Sequence, residues 1–244
     1  MAYPEKEGEE NSPGSWEQAG QTGMSAPHFE EQGPRLLSDR NERAINTSRR
    51  RLPHWTCDRV IYWITFRLAD SLPQTKFQAW RAERDIWLQR NPKPWSDAQF
   101  MEYNERFGDR MENWLNAGYG SCVLKRPEVC GIVQTCLLQF EGERLHIHAA
   151  VIMPNHVHLL LEPLARNKLS ALLKGIKGAS ARKANQLLGT MGTFWLDESF
   201  DHILRSEPQY WYLVKYIAEN PKKAGLHAGQ YWHYQNTFKP KSVL

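Results

Sequence analysis

No apolar run in the chain approaches the roughly 20 residues of a membrane-spanning helix, which excludes a helical membrane protein. Cysteine is scarce: Cys57, Cys122, Cys130 and Cys136 form no CxxC pair, and no secretory leader is read before them. Free thiols in a reducing, cytoplasmic setting are therefore expected rather than a disulfide framework. Residues 1 to about 50 lack apolar periodicity and are rich in Gly, Pro, Ser, Glu and Gln. Such a stretch buries too little surface to offset chain entropy, so 1–51 is expected to be a disordered leader. Acids are missing from Pro163 to Leu196, where Arg166, Lys168, Lys174, Lys177, Arg182 and Lys183 stand alone. Between Glu5 and Glu31 the balance reverses, with seven glutamates against Lys6. The net charge of +4 thus conceals a local basic stretch suited to a polyanion.

Composition, at 41% apolar and 24% charged, is that of an ordinary globular chain, so the class must come from pattern. Val60 to Leu68 (VIYWITFRL) is β-branched and aromatic and predicts the first strand. Two helical segments follow over 76–118, the second opening with Ser96 and Gln99 at capping-box spacing. Phe100, Tyr103, Phe107, Met111 and Trp114 then recur at steps of three and four, a one-faced packing stripe. Pro127 opens a helix to about Phe140, strands are read at 145–152 and 156–161, and Leu169 to Leu188 is a helix closed by glycines at 189–192. A short extended piece near 199–204 precedes a helix over 209–219, which Pro221 is expected to stop. Without the insert the order is β-α-β-β-α-β plus a trailing helix. This predicts an α+β fold: a ferredoxin-like, split β-α-β antiparallel sheet with helices on one face. Residues 52–230 are read as one domain carrying the helical insert 76–118, and 231–244 as a C-terminal tail.

Within this frame, IHAAVIMPNHVHLLLE at 147–162 holds His156 and His158 one residue apart. A strand's period of two places both imidazoles on one face, which offers a divalent cation two nitrogens. If Met153–Asn155 is a three-residue hairpin loop, Ile152 pairs with His156, Ala150 with His158 and His148 with Leu160. His146, His148, His156, His158 and Glu162 then share a wet face, with space above Ala150 and His148 diagonally near the pair. Short motifs are unspecific, and alone these would read as surface histidines. The second signal is YIAENPKKAGL, where Tyr216 and Asn220 stand four apart on one helix face. Two imidazoles and an amide leave positions open on a cation for a phosphate, and a nearby tyrosine hydroxyl is a usable nucleophile. Oxygen positions favour Mg2+ or Mn2+, while imidazoles also admit Zn2+.

The blocks MPNHVHLLLEP, FWLDESFDHILRS and YIAENPKKAGL, in this order, resemble the signatures of the single-tyrosine HUH transposases, in particular the REP-associated tyrosine transposase-like branch. LPHW at 52–55 and TFRLADSLP at 65–73 resemble the opening of that branch, so the likeness spans about 52–226. It implies metal ligation by His156 and His158, attack by Tyr216, and a metal-facing role for Asn220, where other members use Gln. It also implies a ferredoxin-like core and a single-stranded, hairpin-bearing DNA partner, cleaved and rejoined through a 5′-phosphotyrosine, with a homodimer allowed. The insert 76–118 is larger than a minimal member needs.

Secondary candidates are His148, Asp201 and His202 as groups orienting a ligand, and Lys174, Lys177, Lys222 and Lys223 as phosphate contacts. Two other readings stay open at this point. One is a domesticated, non-cleaving DNA-binding protein of the same fold, and the other a histidine-rich metal hydrolase using His146 and His148 without tyrosine chemistry.

Overall fold

A computed structural model of the chain describes residues 46–49, 53–56, 60–93, 95–164 and 166–236. Two short strands, Asn46–Arg49 (β1) and Pro53–Thr56 (β2), pair antiparallel as a separate ribbon with Thr47 opposite Trp55. β1 falls inside the expected leader 1–51: its register joins β-branched and aromatic residues, which favour strand. The rest of that stretch lies outside the described residues.

The main sheet contains β3 (Tyr62–Arg67), β4 (Leu145–Ile152), β5 (His156–Pro163), β6 (Phe200–Ile203) and β7 (Trp232–Gln235), in the order β6-β3-β5-β4-β7. Every neighbouring pair is antiparallel. Between β3 and α4 (Pro127–Leu138) lies the insert, α1 (Gln74–Arg90), α2 (Asp97–Tyr103) and α3 (Asp109–Asn116). α5 (Leu169–Leu188) precedes β6, and α6 (Glu207–Lys223) follows it. Leaving out the insert, β3-α4-β4-β5-α5-β6 is the expected split β-α-β arrangement in an α+β fold. β7 is an addition: it lies inside the stretch 231–244 expected to be a tail. Trp232 and Tyr234 pack on the core, and the strand covers the open edge of β4.

Side chains alternate across the sheet and build two cores. Tyr62, Ile64 and Phe66 of β3 join Val157, Leu159 and Leu161 of β5 beneath α4 and α5. These two crossover helices share one face, as expected. Ile61, Trp63, Val151 and Leu160 form the opposite face, which α6 and the insert cover with Leu213, Ile217, Trp80, Trp95 and Phe107. The face expected to be wet is therefore the floor of a second core.

The β4–β5 hairpin closes one residue away from the expected register. Ile152 pairs with Val157 and Val151 with His158, and the amide of Met153 donates to the carbonyl of His156 (2.8 Å). Val151, not Ala150, thus stands opposite His158, while Ala150 belongs to the α4–α5 core. A bulge between Ile147 and Ala149 absorbs the slip at His148, which keeps the apolar residues of both strands facing inward.

Two helix details shape the site. The Ser96–Gln99 capping box opens α2 as expected, but a π turn over Asn104–Gly108 separates α2 from α3. The extra residue in that turn rotates everything after it. Glu112 and Leu115 become buried, while Met111 and Trp114 of the expected stripe are only half-buried. α6 continues through Pro221 to Lys223 rather than stopping before it, and Gly225 follows with positive φ. Asn220 accordingly lies inside the helix, not at its end.

Candidate metal and nucleophile site

His156 and His158 project from β5 toward the insert, both buried. Each ring is fixed through its Nδ1. Asn155 donates from Nδ2 to the carbonyls of Leu115 (3.0 Å) and Tyr119 (3.2 Å), so its Oδ1 faces His156 Nδ1 at 2.8 Å as an acceptor. His156 therefore carries its proton on Nδ1 and presents the lone pair of Nε2. Thr65 Oγ1 lies 2.8 Å from His158 Nδ1, in register with it on β3, and can hold that ring in the same tautomer.

The two Nε2 atoms are 3.1 Å apart, and the carboxylate of Glu112 closes a triangle with them. Its Oε2 is 3.0 Å from His158 Nε2 and its Oε1 is 3.3 Å from His156 Nε2. Among the described residues this trio is the one cluster of His, Cys, Asp and Glu with metal-ligand proximity. Two lone pairs and a carboxylate at this spacing repel unless a proton or a cation lies among them. The edges match those of donors about 2.1 Å from a shared cation. Burial pushes the His156 imidazole below its ordinary value, against the pull of Glu112. For Glu112, burial acts upward, but the charges of His158 and His156 and their hydrogen bonds prevail and hold the carboxyl well below its usual value. Burial of His156 and the lowered Glu112 carboxyl favour in these two residues the deprotonated forms that metal ligation requires.

α6 brings the tyrosine to the same place. The ring centroid of Tyr216 lies 5.5 Å from that of His158, edge to face, and Trp63 packs on it from β3 at 5.9 Å. Burial, and after it the negative charge of Glu112, push the phenol far above its ordinary value. Lys223 Nζ sits 5.2 Å from the ring centroid. One turn beyond Tyr216, Asn220 is fully buried, and neither amide atom has a hydrogen-bond partner among the described residues. An unsatisfied buried amide is costly, as expected of a group that awaits a ligand.

The remaining sequence candidates fall elsewhere. His148 bonds to Glu162 (3.3 Å) and to the hydroxyl of Tyr210 (3.3 Å), because the bulge turns it along β4 toward α6. His146 pairs with Glu141 at 2.9 Å, so these two histidines form no four-histidine site with His156 and His158. His202 stacks between Phe100 (4.1 Å) and Trp95 (5.8 Å), and Asp201 gives its carbonyl to Lys93 Nζ. They lie on β6, beyond β3 from the histidine pair, and point to opposite faces. α5 is on the far side of the sheet from the trio. Lys177 spends its ammonium on the carbonyls of Leu196 (2.8 Å) and Asp197 (3.0 Å), and Lys174 is exposed on that far side. Lys222 and Lys223 are exposed at the end of α6.

The candidate site thus joins two histidines on the central strand of a ferredoxin-like sheet, a glutamate from the insert and a tyrosine on α6. Residues 128–220 match the model of the family described as Transposase IS200 like, and the expected resemblance holds over that segment, which contains β4, β5 and Tyr216. No curated protein matches the sequence. Similar solved structures include the following two. One is a REP-associated tyrosine transposase bound to a REP hairpin, at 14% identity and TM-score 0.36, covering 76% of this chain and 93% of that one. The other is a transposase candidate from Deinococcus radiodurans R1, at 17% identity and TM-score 0.35, covering 66% and 90%. Among the described residues no helix is long and apolar enough to cross a membrane.

Proposed function

We propose that this protein is a metal-dependent, transposase-like nuclease that cleaves and rejoins single-stranded DNA at hairpin-flanked sites through Tyr216. The observation that carries the reading is the meeting of Tyr216 with the Glu112–His156–His158 trio in one chain. His156, His158 and Glu112 would hold a divalent cation, with the Asn220 amide on the neighbouring helix as a fourth candidate donor. The carboxylate adds a hard oxygen to the two imidazoles, which suits Mn2+ or Mg2+. When bound, the cation supplies Lewis acidity toward the scissile phosphate and offsets the Glu112 charge that keeps the phenol protonated.

The chain's own residues then do the rest. Trp63 and His158 fix the ring, so that the Tyr216 oxygen is held for in-line attack on phosphorus. As the new O–P bond forms, the bond from phosphorus to the 3′-oxygen breaks, and the proton given up by the phenol is balanced by the one the departing 3′-oxygen takes up. The 3′-oxygen leaves with a proton as a hydroxyl, and the 5′-phosphate stays on Tyr216. Attack by another 3′-hydroxyl reverses the step and rejoins a strand. Lys223 beside the ring offers a charge to the strand's backbone. The test is to incubate hairpin-bearing single-stranded DNA with Mn2+ and resolve products on a denaturing protein gel. A DNA-linked band is expected from the native protein and none from Tyr216→Phe; a band that persists in the variant rules out this nucleophile.

A further inference from the structure

Beside the trio lies a pocket that the cleavage chemistry does not use. Its floor is β3, where Thr65 stands opposite His158 and Arg67 opposite His156, and its roof is the insert. Tyr216, Glu112 and His158 form one rim. The walls are aromatic, with Trp63, Trp80, Phe107 and Phe200, yet three polar side chains line it with atoms that make no hydrogen bond among the described residues. Asn104, 5% exposed, has no partner for either amide atom among the described residues. Arg67, 7% exposed, donates from Nη1 to Ser71 (3.0 Å) but has no acceptor for Nη2 among the described residues. Glu198 makes an ion pair with Arg81 at 3.2 Å, and neither of its carboxylate oxygens accepts a well-formed hydrogen bond.

Such groups cost stability in an apolar pocket unless a ligand completes them. Their geometry is maintained by the fold. The π turn that begins at Asn104 carries this side chain to the pocket wall. The guanidinium of Arg67 is stacked 4.4 Å from the centroid of Phe77. Burial lowers it to about 10, with Glu198 acting upward, so it remains charged at neutral pH. The ligand must therefore be flat enough for aromatic walls, and must offer an acceptor to Arg67, donors to the Glu198 carboxylate, and an edge to the Asn104 amide.

We propose that this pocket binds one unpaired guanine of the DNA strand, next to the scissile phosphate. A guanine presents its O6 acceptor beside two donors, N1–H and the 2-amino group, matching one guanidinium arm and one carboxylate. Adenine and thymine lack that pair of adjacent donors, and cytosine offers a single one. Stacking on Trp80 or Phe107 supplies base-independent binding, while the polar trio supplies the choice of base. The proposal rests on the tyrosine-nuclease reading for its substrate, since the base must belong to the strand that Tyr216 attacks.

Binding of end-labelled dT heptamers with a central dG, dA, dC, dT or deoxyinosine to the full-length protein, read by fluorescence anisotropy, tests this without cleavage. The dG heptamer is expected to bind at least about tenfold more tightly than the dA, dC or dT forms. Deoxyinosine, which lacks the 2-amino group, is expected to fall between them. Glu198→Gln and, separately, Asn104→Ala should each reduce the guanine preference. Equal binding of all heptamers, or no binding of any, overturns the proposal, and the base series requires no variant to fold. A guanine preference without any Tyr216-linked DNA would leave the pocket and remove the nuclease reading. Linked DNA without a guanine preference would do the reverse.

Discussion

Glu112 Oε2 and His158 Nε2 lie 3.0 Å apart although 46 residues separate them in the chain. The contact joins the helical insert to the central strand of the sheet, so the insert is part of the candidate centre and not an ornament on it. Removing the carboxylate leaves two imidazole lone pairs without the oxygen that completes the ligand set. Glu112→Ala is expected to weaken Mn2+ binding by at least about tenfold, as measured by titration calorimetry or by the Mn2+ paramagnetic signal. Unchanged affinity would place the cation elsewhere.

Thr65 acts on the same site through His158 Nδ1, 2.8 Å away. Thr65→Val keeps the shape and removes the hydrogen bond that holds the ring. Loss of such an orienting partner typically costs about 10- to 100-fold in metal affinity. The melting temperature should change little, because the residue is half-buried beside a packed sheet. A large drop in melting temperature with native metal affinity would make Thr65 a packing residue alone.

Much of this was readable in the sequence, and what was not has identifiable causes. The succession β3 to β6 along the chain, both crossover helices and the Ser96–Gln99 cap follow from periodicity and caps that act locally. Glu112 was hidden because the π turn at Asn104–Gly108 shifts the helix by a residue, and no side-chain pattern announces such a turn. A carboxylate one position past an expected apolar site, Met111, was the only signal. The hairpin turn similarly put Val151, not Ala150, opposite His158, and the bulge at His148 restores the expected register beyond it. Lys174 and Lys177 were misplaced for another reason: helix periodicity shows which residues share a face, but not which side of the sheet the helix takes.

That placement separates the lysines. Lys223→Ala, beside Tyr216, should weaken single-stranded DNA binding and reduce the slope of log affinity against log salt by about 0.7. Lys174→Ala should change neither, as it lies across the sheet from the trio. Salt titrations of the two variants with one labelled oligonucleotide decide this. An equal loss from both would mean that the DNA wraps the α5 face as well.

The apoprotein should lose stability toward acid. Burial, with Lys93 and Arg205 adding to it, holds His202 well below its ordinary 6.5, and burial lowers His156 too. Below about pH 6.5 the unfolded chain binds protons at these positions that the folded chain does not, so stability rises with pH there and falls as pH drops. His146, raised chiefly by its hydrogen bond to Glu141, opposes this, since its contribution is present in acid and lost as pH rises through its folded value. With two buried rings against one partly exposed ring, the net slope is acid-destabilising. Urea melts between pH 7 and 5 should show it, with a smaller slope in His202→Phe. An unchanged slope in that variant would assign the acid sensitivity elsewhere.

Tyr216, and no other tyrosine of α6, is expected to take the DNA. Tyr212 is the informative control, because it is 41% exposed and stacks on Tyr216 with centroids 6.4 Å apart. The direct measurement is mass spectrometry of the protease-digested adduct formed with hairpin DNA and Mn2+. A nucleotide mass on Tyr216 alone is expected; a nucleotide on Tyr212, or none on any tyrosine, rules Tyr216 out as the nucleophile.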